Sequence, residues 1–393
     1  MESIFTLSSR FRKDRATERL HLPAFLAAVG AAAAFQTYSP CPPFTGNVTV
    51  NAENIYPDGA EFSPTNCKFY LGSMNNNTLI EHDPYTSVTR EIEFPGISHN
   101  NDYFVCGVDF SYATGTLYVA VSSSSAWWPT MGGNLTGPNR LIQYSPLADS
   151  IIWTANIDDV VAAEVEATGT QFAGFQDMAV DKDSNAYFFA TFGNIIVKID
   201  PEGKATKFYS PDPPTDKSWG FGGAFVTMSN KLVVSDAVLD NFAVFDLSSS
   251  APSNPSFIVP KGNPDDFEDS VLECDSLTAP RRYGDKVALC ANVADTKFSE
   301  HGMITVYTSD DDWETINFVG MINNDFGQFP DVWSTAQVGT ADRVYALSSS
   351  LPYENRFEFP KTKSTMLVDI TDRVDKLVGK FAPSQSGQAH EEL

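Results

Sequence analysis

The chain has 393 residues, of which 42% are hydrophobic and 12% aromatic, so it can bury a large core. Its 50 acidic and 26 basic residues give a net charge of −24, and a surface of that sign repels phosphate backbones and anionic lipid headgroups. Binding to nucleic acid or to a membrane surface is therefore not expected. Beyond the N-terminal region, no segment is long and apolar enough for a stable membrane span.

Residues 1–44 are predicted to form a separate N-terminal segment. The stretch "RFRKDRATERLHLPAFLAAVGAAAAFQ" is basic at first and then rich in alanine, which loosely matches a secretory signal. Two acidic residues in its polar part weaken this match. Glycosylation sequons begin at Asn47, Asn76 and Asn134, and they matter only if the chain enters the secretory pathway. Entry into the ER or secretory pathway and residence in the cytoplasm both remain open.

The central sequence repeats a unit of short strands at intervals of roughly fifty residues. Each unit opens near a Gly or Asp, passes through a turn into a second strand, and continues to a third strand. β-Branched and aromatic residues dominate these runs, and Gly, Asn and Asp separate them, which is typical of strands and turns. Six such units match the blades of a β-propeller. The markers of the six units are Gly59, Gly107, Asp177, Gly223, Ser276 and Trp333.

The chain is therefore predicted to be all-β, with residues 45–382 forming a single six-bladed β-propeller. Residues 383–393 are predicted to be a flexible tail. The stretch "GNVTVNA", which begins at Gly46, is expected to pair with the last blade and complete the ring, which removes open sheet edges. One helix is expected around residues 157–166. A pair of β-sandwiches is the alternative fold.

The five cysteines show neither CxxC spacing nor a CxxC…HxxxH arrangement, so a zinc site is not expected. Their odd number argues against a framework of disulfides. Cys106 and Cys290 lie in apolar runs that resemble strands, and we expect them to be buried and unreactive thiols.

Residues near the starts of the first strands of the blades are expected to converge, because these strands line the central channel of a propeller. His99, in "SHNNDYF", would serve there as an acid or base near neutral pH, or else it is a turn residue bonded to backbone. Asp177 likewise either faces the channel or merely opens a strand. The expected ring contains Asp58, His99, Asn100, Asn101, Asp102, Gln176, Asp177, Trp219, Arg281, Arg282, Asp331 and Trp333.

A divalent cation such as calcium is an alternative occupant of this region. Asp58, Asp177 and Asp236 would supply carboxylate ligands, and Asn241 would be an additional ligand. Aspartates at such positions also serve as turn or strand-entry residues, so metal binding and a purely structural role both remain open.

An aromatic loop, "SSSSAWWPTMGGN", is the remaining candidate for ligand binding. It contains Trp127 and Trp128, which together with Trp219 and Trp333 would wall an apolar pocket over the channel. The alternative is that these side chains only cap neighbouring blades. Motifs of serine hydrolases, zinc proteases, P-loop proteins and Rossmann folds do not occur in a suitable context.

Two units of the repeat, "PDGAEFSP…KFYLGSMNNNTLIEHDP" and "DMAVDKDSNAYFFATFGNIIVKIDPEGK", look like blades of the gluconolactonase and strictosidine-synthase-like six-bladed propellers. This resemblance implies a metal-dependent lactonase or a related hydrolase, in which the metal polarises a carbonyl. Asp58 and Asp236 would match the acidic positions of the lactonases. Asp177 departs from their pattern, because it stands where an asparagine is wanted.

Three further stretches carry a closer resemblance: "NAENIYPDGAEFSPTNCKFYLGSMNNNTLIEHDPYT", "NNDYFVCGVDFSYATGTLYVAVSSSSAWWPT" and "GQFPDVWSTAQVG". They resemble the fungal β-propeller proteins of the core trichothecene mycotoxin cluster, the members that are neither cytochrome P450 nor acyltransferase. The resemblance covers nearly the whole chain. It implies a role in trichothecene production and plant virulence, and a bicyclic sesquiterpenoid triol as the small-molecule partner.

The reaction suggested by this resemblance is closure of the ether ring of the triol, which needs no redox change and no cofactor. A general acid would protonate the leaving hydroxyl, and a base would take the proton of the attacking hydroxyl. Asp58 or Asp177 would be the acid and His99 the base. A propeller that only binds a pathway intermediate or a partner enzyme is a further alternative. The expected substrate-binding residues are Asn100, Asp102, Trp127, Trp128, Gln176, Trp219 and Trp333.

Overall fold

The computed structural model describes residues 40–127, 132–212, 219–248, 254–263, 272–292, 302–324, 333–349 and 362–381. For residues 333–337, 348, 349 and 380 it defines the backbone alone. Most of the predicted N-terminal segment and the whole predicted tail fall outside these ranges, as do Trp128 and Asp331. None of the helices within the ranges is long and apolar enough to cross a membrane.

The strands form six antiparallel sheets of four strands, and each sheet is one blade. Strand β1 (Val48–Val50) belongs to the last blade. Blade 1 contains β2 (Pro57–Ser63), β3 (Lys68–Ser73), β4 (Thr78–His82) and β5 (Thr89–Ile92). Blade 2 contains β6 (Tyr103–Ser111), β7 (Thr116–Ser123), β8 (Arg140–Ser145) and β9 (Ser150–Asn156). Blade 3 contains β10 (Asp177–Val180), β11 (Ala186–Phe189), β12 (Ile196–Ile199) and β13 (Ala205–Tyr209).

The second half of the ring follows the same order. Blade 4 contains β14 (Phe221–Val226), β15 (Lys231–Asp236), β16 (Asn241–Asp246) and β17 (Ser256–Ile258). Blade 5 contains β18 (Cys274–Thr278), β19 (Val287–Asn292), β20 (Met303–Thr308) and β21 (Asn317–Asn323). Blade 6 contains β22 (Trp333–Gly339), β23 (Val344–Ser349) and β24 (Thr365–Asp369), with β1 as its outermost strand. The described helices are α1 (Asp158–Thr168), α2 (Thr371–Val378) and short 3-10 turns at Ser124–Ala126, Arg281–Tyr283 and Gly379–Phe381.

The repeat read from the sequence corresponds to the blades. All six markers lie in the first strands of the blades, so the prediction of an all-β, six-bladed propeller is confirmed, and the sandwich alternative is wrong. Helix α1 also lies where a helix was expected. It ends at Gly169, whose φ of +73° is a left-handed conformation that glycine adopts readily.

The middle strands of the blades are buried on both faces because each blade packs between two neighbours. All eight residues of β7 and all five residues of β4 are buried, whereas exposed residues recur at every second position through most of the outer strand β9. Aromatic and branched side chains fill the seams between blades. The seam between blades 1 and 2, for example, contains Tyr70, Phe94 and Val119. The core is therefore distributed around the ring.

Glycines let the first strands of neighbouring blades approach each other around the channel. A Cβ atom added to Gly59 would lie 2.6 Å from the Cα atom of Gly107, and one added to Gly107 would lie 2.6 Å from Oδ1 of Asp177. Real Cβ atoms do not approach other heavy atoms so closely. The glycines at the starts of the repeat units thus allow blades 1, 2 and 3 to meet.

The variant Gly72→Ala is expected to destabilise the ring. Its Cβ atom would lie 1.9 Å from the backbone oxygen of Cys106, so blades 1 and 2 would have to separate. Overpacking of this kind lowers the free energy of unfolding by about 3 kcal/mol, which denaturant titration measures. Gly96→Asp is the control, because no atom lies within 4 Å and aspartate tolerates the left-handed φ of +77°. Equal stability of the two variants would contradict the close approach of these blades.

The ring is closed as the sequence predicted, by pairing between the two ends of the propeller. Strand β1 is antiparallel to β24, with Val48 opposite Leu367. The side chain of Asn47 adds a contact, because its Oδ1 atom accepts a hydrogen bond of 3.1 Å from the backbone N–H of Asp369. Blade 6 is therefore assembled from residues at both ends of the chain.

Two disulfide bonds correct the expectation about the cysteines. Cys41 is bonded to Cys67, and Cys274 is bonded to Cys290, so the prediction that Cys290 is a free thiol is wrong. The bonded residues of blade 5 lie on the paired strands β18 and β19, and this register is not visible in the spacing of cysteines along the sequence. Cys106 is a buried free thiol, as predicted.

Candidate active site

The first strands of the six blades surround a central channel and point in the same direction. Each of these strands contacts the next, and β22 contacts β2, which completes the circle. Between blades 2 and 3, the backbone N–H of Gly107 donates a hydrogen bond to the backbone oxygen of Gln176. Two residues further along β6, the carboxylate of Asp109 accepts a hydrogen bond from the backbone N–H of Val180. The channel therefore has a strand-start mouth, where the first strands begin, and a strand-end mouth, where they finish.

Three aspartates from alternate blades lie near the strand-start mouth, and we call them the channel aspartates: Asp58, Asp177 and Asp275. Asp58 lies within an irregularity in the pairing of β2 with β3, and Asp275 within an irregularity in the pairing of β18 with β19. Such bulges redirect side chains that would otherwise alternate regularly. Asp177 is the first residue of β10. All three side chains are half-buried.

Burial and mutual repulsion favour the protonated form of the channel aspartates. Burial raises the pKa of Asp58 to about 7, although a hydrogen bond from the Cys106 thiol favours the ionised form. Burial also raises the pKa of Asp177 and of Asp275 well above the ordinary value, and the charge of Asp58 raises both further. The group therefore retains protons near neutral pH while its members interact, an arrangement that suits combined acid and base chemistry.

Two more carboxylates lie further along the first strands. Burial raises the pKa of Asp109 to about 6 and that of Glu61 well above its ordinary value, while the positive charge of Arg281 opposes both changes. Asp109 accepts hydrogen bonds of 2.7 Å from the backbone N–H groups of Phe110 and Val180. It thus satisfies a donor on the edge of the next blade, which gives it a structural role.

Asp177 has a similar structural role alongside its place in the channel. Its carboxylate accepts a hydrogen bond of 2.9 Å from the backbone N–H of Met178 and another from the backbone N–H of Ala224 in blade 4. The preceding residue, Gln176, is buried, and its Nε2 atom lies 3.4 Å from the backbone oxygen of Gly222, also in blade 4. Both side chains therefore join blades 3 and 4 at the strand-start mouth.

The two arginines of the expected ring have different settings. The guanidinium of Arg281 stacks on the ring of Tyr112, with 3.2 Å between its central carbon and the ring centroid. Tyr112 follows the end of β6, so this pair lies toward the strand-end mouth. Arg282 instead forms an ion pair with Asp375 of α2, with 2.6 Å between Nη2 and Oδ2. Of the two arginines, Arg281 is the one whose charge acts on Asp109 and Glu61.

His99 lies in the turn between blades 1 and 2. Its side chain is 56% exposed, and Nε2 is 3.3 Å from Oε1 of Glu93. In the same turn, Asn100 Oδ1 accepts a hydrogen bond of 3.1 Å from the backbone N–H of Asp102, which is exposed. The buried residue of this turn is Ile97, so the polar residues point outward. The structure therefore places three predicted site residues in this turn, away from the channel aspartates: His99, Asn100 and Asp102.

The proposed metal ligands do not form one group either. Asp236 and Asn241 face each other across the hairpin between β15 and β16, whereas Asp58 and Asp177 lie in first strands. Asp236 accepts a hydrogen bond of 3.1 Å from the backbone N–H of Val238. Within the described ranges, no three His, Cys, Asp or Glu side chains are placed to hold a metal ion together.

Two of the predicted aromatic side chains, Trp127 and Trp219, lie together, and Phe192, which was not predicted, lies with them. The aromatic cluster consists of Trp127, Phe192 and Trp219, from blades 2, 3 and 4. Ring centroids are 5.2 Å apart for Trp127 and Phe192 and 5.7 Å apart for Trp127 and Trp219. Nε1 of Trp219 is buried and has no hydrogen-bond partner among the described residues. Trp333 begins β22, where the backbone alone is defined.

Three acidic residues of the channel were also missed in the sequence analysis, which looked mainly near the starts of the repeat units. Glu61, Asp109 and Asp275 lie inside the first strands. A signal was present in the stretches "AEF" and "VDF", where a single carboxylate interrupts an apolar strand. A charged residue at such a position must face either a partner or a water-accessible channel.

Six blades around a channel lined with half-buried carboxylates define the protein as a six-bladed β-propeller with an acidic channel. No protein-family model matches the chain. The chain is 24% identical over 350 residues to Trichothecene biosynthesis protein 14 of Trichoderma arundinaceum, covering 86% of this chain and 92% of the relative. It is 22% identical over 372 residues to Core trichothecene cluster (CTC) protein 14 of Fusarium sporotrichioides, covering 91% and 93%. The resemblance to the propeller proteins of the core trichothecene cluster is confirmed.

Solved structures of similar shape establish the fold alone. The major allergen Mala s 1 of Malassezia sympodialis superimposes with a TM-score of 0.66 at 16% identity, covering 83% of this chain and 96% of the allergen. A luciferin-regenerating enzyme superimposes with a TM-score of 0.50 at 11% identity, covering 82% and 95%. Propellers serve many functions, so the function must be argued from the channel.

Proposed function

We propose that the protein acts in trichothecene biosynthesis, where it closes the ether ring of a bicyclic sesquiterpenoid triol without any redox change. The names of both curated relatives support the pathway. The observation that carries the reaction is the convergence of Asp58, Asp177 and Asp275 from alternate blades at the strand-start mouth, where burial raises the pKa of Asp58 to about 7. Such a residue can hold a proton and release it near neutral pH. A contribution to plant virulence would follow from toxin supply.

The chemistry requires one proton donor and one proton acceptor. Asp58 donates its proton to the allylic hydroxyl, the carbon–oxygen bond breaks, and water leaves. A second hydroxyl of the same molecule attacks the allylic carbon and forms the ether bond, and an ionised carboxylate takes the proton of that hydroxyl. The products are the tricyclic ether and one water, so atoms and electrons balance and the total number of protons on the carboxylates is restored.

We assign the base to Asp275 instead of His99. His99 is on an exposed turn beside Glu93, whereas Asp275 responds directly to the charge of Asp58. Asp177 is less suited, because its carboxylate already accepts backbone hydrogen bonds from Met178 and Ala224. Because Asp58 and Asp275 interact, they titrate as a pair, and in the state with one shared proton on Asp58 the ionised Asp275 accepts a proton, so the pair supplies both functions at the same pH.

The aromatic cluster is the natural partner for the hydrocarbon part of the substrate. Trp127, Phe192 and Trp219 come from blades 2, 3 and 4, beside the strand-start mouth at which the channel aspartates lie. Apolar surface there would exclude water and hold the two reacting hydroxyl-bearing carbons close together. The buried Nε1 of Trp219 would then be able to donate a hydrogen bond to a substrate oxygen.

The test is incubation of the purified full chain with the bicyclic triol near neutral pH, with chromatography and mass spectrometry of the products. We expect the tricyclic ether to form faster than in a control without protein. Equal rates would refute the cyclase, and equal rates with measurable binding of the triol would favour the non-catalytic alternative. Conversion that is abolished by a chelator would favour the metal-dependent alternative.

A further inference from the structure

The three glycosylation sequons differ in how accessible they are in the folded protein. The side chains of Asn47 and Asn134 are exposed, whereas that of Asn76 is half-buried in the turn between β3 and β4. The two neighbours of Asn76 are engaged in this turn, since Asn75 donates to the backbone oxygen of Asn54 and Asn77 donates to that of Asn100. A large group on Asn76 would therefore crowd a packed corner.

Asn134 lies in a well-defined surface turn on the loop between β7 and β8. The hydroxyl of Thr136 donates to Oδ1 of Asn134 over 2.7 Å, and the backbone N–H of Thr136 donates to the same atom over 3.3 Å. Leu135, the middle residue of the sequon, is buried and anchors the turn. The Nδ2 atom of Asn134 is not used in these contacts, so the turn leaves the nitrogen that would carry a sugar available.

Asn47 can also carry a sugar without losing its structural contact. Its Oδ1 atom accepts the hydrogen bond from Asp369 that helps to close the ring, and an N-linked sugar leaves that oxygen unchanged. Its Nδ2 atom lies 3.6 Å from the sulfur of Met366, a weak contact on an exposed surface.

The two disulfides point independently to the same compartment. Bonds between Cys41 and Cys67 and between Cys274 and Cys290 form and persist where the environment is oxidising, as in the ER lumen and outside the cell. N-linked glycosylation takes place in that same pathway. Exposed sequons and paired cysteines are unrelated features of the chain, and both are accounted for by entry into the ER.

We propose that this chain enters the secretory pathway and carries N-linked glycans at Asn134 and Asn47, but not at Asn76. In the transfer, the Nδ2 atom of each asparagine loses one proton and bonds to the anomeric carbon of a lipid-diphosphate-linked oligosaccharide, and the lipid diphosphate leaves. The loop of Asn134 is held against the end of β7, since the hydroxyl of Ser123 donates to the backbone oxygen of Thr136 over 3.0 Å. The glycan would stand on the loop that also carries Trp127 of the aromatic cluster.

The test uses the full chain expressed in a filamentous fungus and needs no substrate, so its outcome is independent of the proposed reaction. Peptide N-glycosidase should convert Asn134 and Asn47 to aspartate, as read by peptide mass spectrometry, and should shift the mass of the intact protein. The variant Asn134→Gln should lose one glycan. The matched variant Asn76→Gln should lose none.

Alkylation of the unfolded and unreduced protein completes the test. We expect one cysteine, Cys106, to react before reduction and five after it. An unmodified Asn134 would overturn the proposal whatever the state of the cysteines, and so would a glycan at Asn76. Five thiols that react before reduction would overturn the assignment of the compartment.

Discussion

Replacing Asp58 by asparagine is expected to slow ring closure of the triol by about 10²- to 10⁴-fold, which is the contribution of a positioned general acid. Asparagine has nearly the same shape but cannot deliver an acidic proton. The measurement is the initial rate of formation of the tricyclic ether. Asp159→Asn makes the same chemical change at an exposed position of α1 and should leave the rate unchanged.

The dependence on pH provides the control for folding. The pKa of Asp58 is raised from its ordinary value of 3.8 to about 7, so folding favours the protonated form. The stability associated with this group is therefore fully present below pH 3.8 and is lost as the pH rises through about 7. The melting temperature of the Asp58→Asn variant should consequently exceed that of the parent at about pH 8, and this difference should be smaller at about pH 4. A slow variant that is also less stable at the higher pH would indicate a structural role.

Removal of the disulfide in blade 5 is expected to impair the channel as well as the fold. The double variant Cys274→Ala, Cys290→Ala should lower the free energy of unfolding by about 3 kcal/mol, as expected for a loop of this length. Cys274 immediately precedes Asp275 and shares the irregular pairing that directs it. Displacement of a reacting group by about 1 Å costs about 10²-fold in rate, so the variant should be slow even where it is folded.

The other disulfide supplies a matched comparison. The double variant Cys41→Ala, Cys67→Ala should lose a similar amount of stability, about 3 kcal/mol. Its bond joins the segment before β1 to the turn between β2 and β3, so the channel aspartates should keep their positions and the rate should be retained. Circular dichroism melts and initial rates measured on both variants separate the two effects. Equal loss of activity in the two variants would argue against a positioning role for the bond in blade 5.

The fold was predictable because each blade repeats the same local signals. Alternating apolar strands and turn residues recur in every unit, and the isolated strand near Val48 needed a partner at the far end of the chain. The close approach of the first strands was also indicated in the sequence, by Gly59 and Gly107, which occupy positions where any side chain would collide. These features depend on local sequence and on ring symmetry, which a single sequence reveals.

The site was predictable only in part, because it depends on register. Asp58 and Asp177 were expected in the channel and lie in first strands, where their charges interact. Asp275 was missed, since a shift in pairing between β18 and β19 decides where it points. His99 was expected to face the channel, but its φ of 60° belongs to a tight turn that directs the ring outward. A polar cluster before a strand does not reveal which side of the chain the turn exposes.

Closure of the ring by β1 has a consequence for the order of folding during synthesis. The contact between Asn47 and Met366 spans 319 residues, so β1, the first of the described strands to be synthesised, is the last to find its partner. Until β24 is made, blade 6 lacks two strands and the nascent ring exposes an unpaired edge, which is prone to association with other chains. The bond between Cys41 and Cys67 can form once blade 1 exists and would hold β1 beside its future position. An early covalent bond of this kind reduces the conformational entropy that β1 loses when it finally pairs with β24.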